Sequence, residues 1–134
     1  MKYFILSFAF ILMACGTTLS KKAAPKNVSD YIKVTSPQPF AKVSETLIVK
    51  GEARGTFFFE GDFPVEVIAE DGTTIQHYAM ADGDWMSEEF VPFTAEIDIS
   101  SIAPQDVVLK LHRNNPSDYR ENDMVMELPL TIVK

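Results

Sequence analysis

The sequence predicts an all-β domain, on three observations. From Tyr31 onward the apolar residues recur with a period of two rather than 3.6. No window of helical length carries an apolar stripe. Turn-forming clusters, among them Asp71-Gly72 and Ala81-Asp82-Gly83-Asp84, cut the chain into short runs. The 134 residues, 46% hydrophobic and 11% aromatic, supply one packed core and leave no room for a second.

The elements follow in order. Tyr31 to Val34 forms a short strand that ends at Ser36-Pro37-Gln38-Pro39, because neither proline can donate to a ladder. Glu45 to Arg54 places Leu47, Val49, Gly51 and Ala53 on one face. Pro64 to Glu70 is rich in β-branched residues, and Asp71-Gly72 turns it back into Thr73 to Met80. Beyond the Ala81–Asp84 turn, Val91, Phe93, Ala95, Ile97 and Ile99 alternate with polar residues and Pro92. Asp106 to Arg113 alternates Val107, Leu109 and Leu111 with Lys110 and His112, and Met124 to Ile132 repeats the pattern. Pro92 and Pro129 mark their strands as edges or bulges. About seven short strands with turn-rich connections make an antiparallel Greek-key sandwich of immunoglobulin type. A small closed barrel fits the strand count and length nearly as well.

The first residues read as an address rather than as structure. Lys2 precedes an apolar run from Tyr3 to Met13, the length of a signal-peptide core and short of the roughly 20 residues that span a bilayer. Leu12-Met13-Ala14-Cys15 resembles the bacterial lipobox: small Ala14 lets a peptidase reach the bond, and the Cys15 thiol takes the lipid. Met13 departs from that pattern, in which a small or β-branched residue is commoner. The expected organisation is a signal peptide over residues 1–14, a lipidated cysteine and tether over 15–30, and the sandwich over 31–134. Gly16 to Asp30 is small, polar and basic without apolar periodicity, as a tether should be. Lys21, Lys22 and Lys26 are too few for a lipid-recognition cluster. A lipid anchor on Cys15 implies an extracytoplasmic protein at the outer membrane or cell surface, and accounts for the single cysteine.

Charge narrows the choice of partner. A net charge of −7 and a pI near 4.7 describe a surface that repels phosphate backbones, so nucleic acid is excluded as a partner. Catalytic signals are missing from the sequence. His77 and His112 lie in ordinary strand contexts, with neither a nucleophile elbow nor a phosphate-binding glycine loop nor a zinc-binding helix motif nearby. The chain is therefore read as a non-enzyme with no cofactor. Two acidic loops, one with Asp82 and Asp84 beside Glu88 and Glu89, the other with Asp118, Glu121 and Asp123, are weak candidates to converge on calcium. Turns are acidic for reasons of their own, since Asp caps local backbone groups.

Arg54-Gly55-Thr56-Phe57-Phe58-Phe59-Glu60-Gly61 is the most unusual segment. Neighbours on a strand face opposite ways, so three consecutive phenylalanines cannot all point inward. Arg54, Phe57, Phe58, Phe59 and Glu60, together with Trp85, are the candidate partner-binding residues. The competing expectation is that the phenylalanines plug one end of the sandwich.

Several of these segments resemble, in order, an immunoglobulin-like domain family associated with bacterial spore germination. Ile32-Lys33-Val34-Thr35-Ser36-Pro37 is similar to its opening strand and turn, and Leu47 to Arg54 to its second strand. Phe59-Glu60-Gly61, Val65-Glu66-Val67, Asp71-Gly72, and Trp85 with Phe90 to Phe93 are similar to its later segments. The resemblance runs from Tyr31 to Val133. It implies a recognition or structural module outside the cytoplasm and brings no catalytic residues. The expected partner is an envelope protein or a glycan. The alternative is an inhibitor of a secreted hydrolase that inserts the long Asn114–Asp123 loop.

Overall fold

The computed structural model describes residues 26–134, so the expected signal peptide, Leu12, Met13, Ala14 and the lipidated Cys15 lie outside the described residues. Eight strands follow one another: β1 (Ile32–Ser36), β2 (Lys42–Val43), β3 (Thr46–Arg54), β4 (Asp62–Ala69), β5 (Thr74–Ala81), β6 (Phe90–Asp98), β7 (Asp106–His112) and β8 (Val125–Ile132). The predicted strands are all present, with bounds that differ by a few residues. The addition is β2, two residues that pair in parallel with Thr131 and Ile132 of β8. A two-residue strand carries no periodicity to read.

The strands lie in the order β1-β3-β6-β5-β4-β7-β8-β2, as one continuous sheet. It curls so that β1, β3 and β6 face β4, β7 and β8 across a single core, with β1 and β2 left as edges. The fold is the immunoglobulin-like one, and the open edges set it apart from a closed barrel. β3 neighbours β6, and β4 neighbours β7, so the chain crosses between the two faces as a Greek key requires. β5 joins the faces. It pairs with β4 along most of its length and with β6 only at Met80–Thr94 and Ala81–Phe93.

Burial follows the predicted alternation. Leu47, Val49 and Ala53 of β3, Val91, Phe93, Ala95 and Ile97 of β6, and Val107, Leu109 and Leu111 of β7 all point inward. Pro92 and Pro129 are tolerated for a reason other than the expected edge position. The carbonyl of Pro92 accepts from Asp82, on the side where β5 has stopped pairing, and the carbonyl of Pro129 accepts from Phe40, away from β7. A strand residue points its nitrogen and carbonyl the same way, so each missing N–H faces the sparsely paired side of an internal strand. The expected tether ends earlier than Asp30. Val28–Asp30 form a 3-10 turn capped by the Asn27 side chain, and Val28 packs against the core.

The Asp71-Gly72 hairpin forms, but not as a two-residue turn. The Gly72 amide donates to Ala69 and Gly72 takes φ 89°, the three-residue arrangement in which a type I turn ends on a left-handed glycine. Asp71 exchanges two hydrogen bonds with the Gln105 side chain, at 3.0 and 2.9 Å, and accepts a third from the Thr73 amide at 2.8 Å. These bonds, that from Gln105 foremost, hold the Asp71 carboxyl below its ordinary value. A depressed carboxyl contributes stability that is present above the unfolded-state pKa of about 3.9 and is lost as the pH falls through the folded value. In Gln105→Ala, a carboxyl NMR titration is expected to show Asp71 moving back up toward its ordinary value. An unmoved titration would leave the bonds to Thr73 as the whole cause.

Candidate interaction site

Three loops meet at the end of the sandwich where β3 and β7 finish and β4 begins. The first runs from Arg54 to Asp62. Gly55–Phe57 form a 3-10 turn, after which Phe59 and Asp62 pair through two backbone hydrogen bonds of 2.9 and 3.3 Å. Between them Glu60 and Gly61 take φ 53° and 84°, so this is a two-residue turn with both centres left-handed. Glycine accepts that conformation freely, whereas Glu60 does so at a cost, in a region that few non-glycine residues enter.

The three phenylalanines do not alternate, because Phe57 ends the 3-10 turn and the segment up to Phe59 is not a strand. Phe57 and Phe58 are buried, their rings 5.0 and 5.3 Å from that of Phe63 in β4, and they close the end of the core. Phe59 is left 42% exposed at the foot of the turn.

The second loop, Asp82 to Glu89, lies over the first. The indole of Trp85 sits against Gly61, where an added Cβ would come within 3.3 Å of it. The backbone of Trp85 to Ser87 covers Gly55, whose own amide donates to Glu89. Arg54 fastens the assembly rather than standing free as a binding group. Its guanidinium stacks on Phe90 at 4.4 Å and donates to the carbonyls of Asp30 (3.1 Å) and Glu88 (3.2 Å). It thereby joins the N-terminal entry, β3 and the second loop. Met86 projects from this loop and is 78% exposed.

The third loop, Arg113 to Met124, is sewn to the first. Arg113 donates to the Thr56 carbonyl at 3.0 Å, the Asn114 amide to Phe57 at 3.0 Å, and the Asn114 side chain to the Asp62 carboxylate at 3.1 Å. Within the loop, Asn115 donates to Tyr119 and to Asp123 and accepts from Ser117, which braces an exposed Tyr119. The partners that sew this loop to the first, Thr56, Phe57 and Asp62, cannot be recognised in the sequence, because they lie 50 or more positions away.

The acidic candidates do not converge. Asp82 accepts from Thr94, Asp84 caps the Met86 amide, and Asp123 is taken up by Asn115 and Arg120, while Asp118 and Glu121 point to solvent. Among the described residues no three His, Cys, Asp or Glu side chains gather closely enough to hold a metal ion. His77 is exposed, although the register sets it beside Val65, on the opposite face of β5 from Gln76 and Tyr78. His112 is only partly so. Its Nε2 lies 2.9 Å from Glu66, a pairing set by the register of β4 on β7 and unreadable in the sequence.

A family model described as the immunoglobulin-like domain of bacterial spore germination matches residues 31–119, from the start of β1 through β7. The chain belongs to this family. No curated protein matches it. Within the germination-associated domain, Phe59-Glu60-Gly61 is the left-handed turn just described, and Trp85 is the lid that its glycine admits.

Gly55→Ala is the sharpest test of this end. Its Cβ would fall 1.6 Å from the Ser87 carbonyl and 2.4 Å from that of Trp85, both backbone atoms that cannot swing aside. Urea unfolding is expected to show a loss of about 2 kcal/mol or more. A loss under about 0.5 kcal/mol would mean that the Trp85–Ser87 segment is not held over Gly55.

Proposed function

We propose that the chain is a membrane-anchored extracytoplasmic lipoprotein whose immunoglobulin-like domain is a non-catalytic recognition or structural module of the cell envelope. The observation that carries the recognition role is the braced loop end. Phe59 and Met86 are exposed on two loops that meet through Gly61 and Trp85, and the surrounding turns are locked by hydrogen bonds. Apolar side chains presented on a rigid support lose little entropy on binding, which is what a recognition surface needs. Family membership supports a binding module, since the domain brings no catalytic residues with it. The lipobox resemblance of Leu12-Met13-Ala14-Cys15 supports the anchor.

A second reading, inhibition of a secreted hydrolase, is favoured by one feature. The Arg113–Met124 loop is internally braced and carries Tyr119, 65% exposed, as a side chain ready to enter a cleft.

Two experiments test these readings. Intact mass measurement of the full chain produced in a bacterium with the lipoprotein pathway should show cleavage before Cys15 and added acyl chains. Both should be lost, along with membrane fractionation, in Cys15→Ser. A cleaved but unacylated soluble product would remove the anchor from the proposal. Separately, Phe59→Ala should leave the urea midpoint nearly unchanged and abolish crosslinks to envelope components. Phe58→Ala, by contrast, should cost about 3–5 kcal/mol through the cavity it leaves. Crosslinks that survive Phe59→Ala, together with hydrolase inhibition that is lost on shortening the Tyr119 loop, would replace the first reading with the second.

A further inference from the structure

The outer face of β5, β4, β7 and β8, away from the three loops, carries a pattern that the recognition reading does not use. The registers set its outward residues in rows across the strands. Toward the far end, Ile68 lies beside Val108 and Val108 beside Pro129, with Glu70, Asp106 and Thr131 beyond them at the edge of the face. In the middle, the row runs Gln76, Glu66, Lys110, Glu127. Nearest the loops, Tyr78 lies beside Pro64 and His112 beside Val125. Tyr78 and Val125 are exposed apolar side chains. An uncharged row thus lies on one side of a charged row, and a largely apolar one on the other.

The charges of the middle row are already matched within the face. Lys110 lies 3.3 Å from Glu127, and Glu66 binds Gln76 at 3.1 Å and His112 at 2.9 Å. The middle of the face can therefore be covered without stranding a lone charge, the condition under which burying ionic groups is tolerated, while Glu70 and Asp106 at its far edge have to keep their contact with water.

We propose that this face is the interface between two copies of the chain, related by a two-fold axis parallel to the strands and lying between β4 and β7. Two faces that meet about such an axis keep their height along the strands and exchange left for right. Each row then meets its own counterpart. Ile68 lies over Val108 of the second copy, and Tyr78 over its Val125. In the middle row Glu66 comes to Lys110 of the second copy, and Gln76 to its Glu127, at both ends of the row. The other two-fold that brings the faces together runs across the strands. It would set Glu66 on Glu66 and Lys110 on Lys110, and the uncharged row on the Tyr78 row. Charge therefore selects the first arrangement. The sheet twist turns the two sets of strands by some tens of degrees and leaves the central pairs near the axis in register.

The test uses the full chain, co-produced in one cell as two copies with different C-terminal tags and recovered through one tag after detergent extraction. Wild-type copies should recover each other. Two Lys110→Glu copies, or two Glu66→Lys copies, face like charges across the axis, and their mutual recovery should fall at least tenfold. One Glu66→Lys copy with one Lys110→Glu copy restores both cross-pairs and should regain recovery close to that of wild type. Both positions are partly solvent-exposed and their in-face pairs are weak, so the variants should keep the wild-type melting temperature. Wild-type copies that fail to recover each other, like-charged copies that associate as wild type does, or a mixed pair that stays apart would each overturn the proposal. Recovery of a different envelope protein lost in both single variants, with no second copy present, would assign the face to that partner instead.

Discussion

The ring of Phe63 is the point on which the rest of the structure depends. It stands in β4, on one side of the sandwich, and meets Phe93 of β6 from the other side edge to face, with centroids 5.0 Å apart. Phe57 and Phe58 close on it from the loop end. One side chain therefore connects the two faces of the curled sheet and fixes the depth at which the Phe57–Phe59 loop sits. The chain has a single cysteine and so no internal disulfide, and the two faces are joined here by packing alone. The exposure of Phe59 is a consequence. Phe57 and Phe58, turned inward together by the 3-10 turn, fill the space against Phe63, and Phe59 is left at the surface.

Strand-level structure was legible because burial on one side of a sheet writes a period of two into the sequence, as in Val91 to Ile99. The turn at Asp71-Gly72 was legible as a turn and not as a type. A left-handed glycine serves both two- and three-residue loops, and the bonds from Gln105 that brace this one come from the β6–β7 connection, 34 positions away. Proline placement misled in an instructive way. Pro92 and Pro129 signalled a missing ladder bond correctly, but a strand can lose pairing on one side without being an edge.

The candidate site was legible in its apolar part and obscure in its polar part. Three phenylalanines in a row violate alternation, and that conflict announces itself in the sequence. Arg54 looked like a binding residue because its composition beside aromatics is that of an interface. Its role depends on the carbonyls of Asp30 and Glu88, which only the folded chain brings to it. The same blindness hid the Glu66–His112 pair and the ordered rows on the outer face. Those follow from register, and register between strands distant in sequence is a property of the whole core.

Arg54 also sets where the N-terminal entry lies. By drawing the Asp30 carbonyl to the end of β3, it makes the N-terminal entry share one pole with the Phe59, Trp85 and Tyr119 loops. For a chain anchored at Cys15, the stretch to Lys26 reaches at most about 40 Å when fully extended. That pole then stays within a narrow zone above the bilayer, and whatever the loops grasp must enter the same zone. A two-fold axis along the strands would put both copies' entries at that pole, so confinement to a plane would already align two anchored molecules side by side. The leash and the grip would lie at one end, leaving the far end of the sandwich pointing away from the surface that holds it.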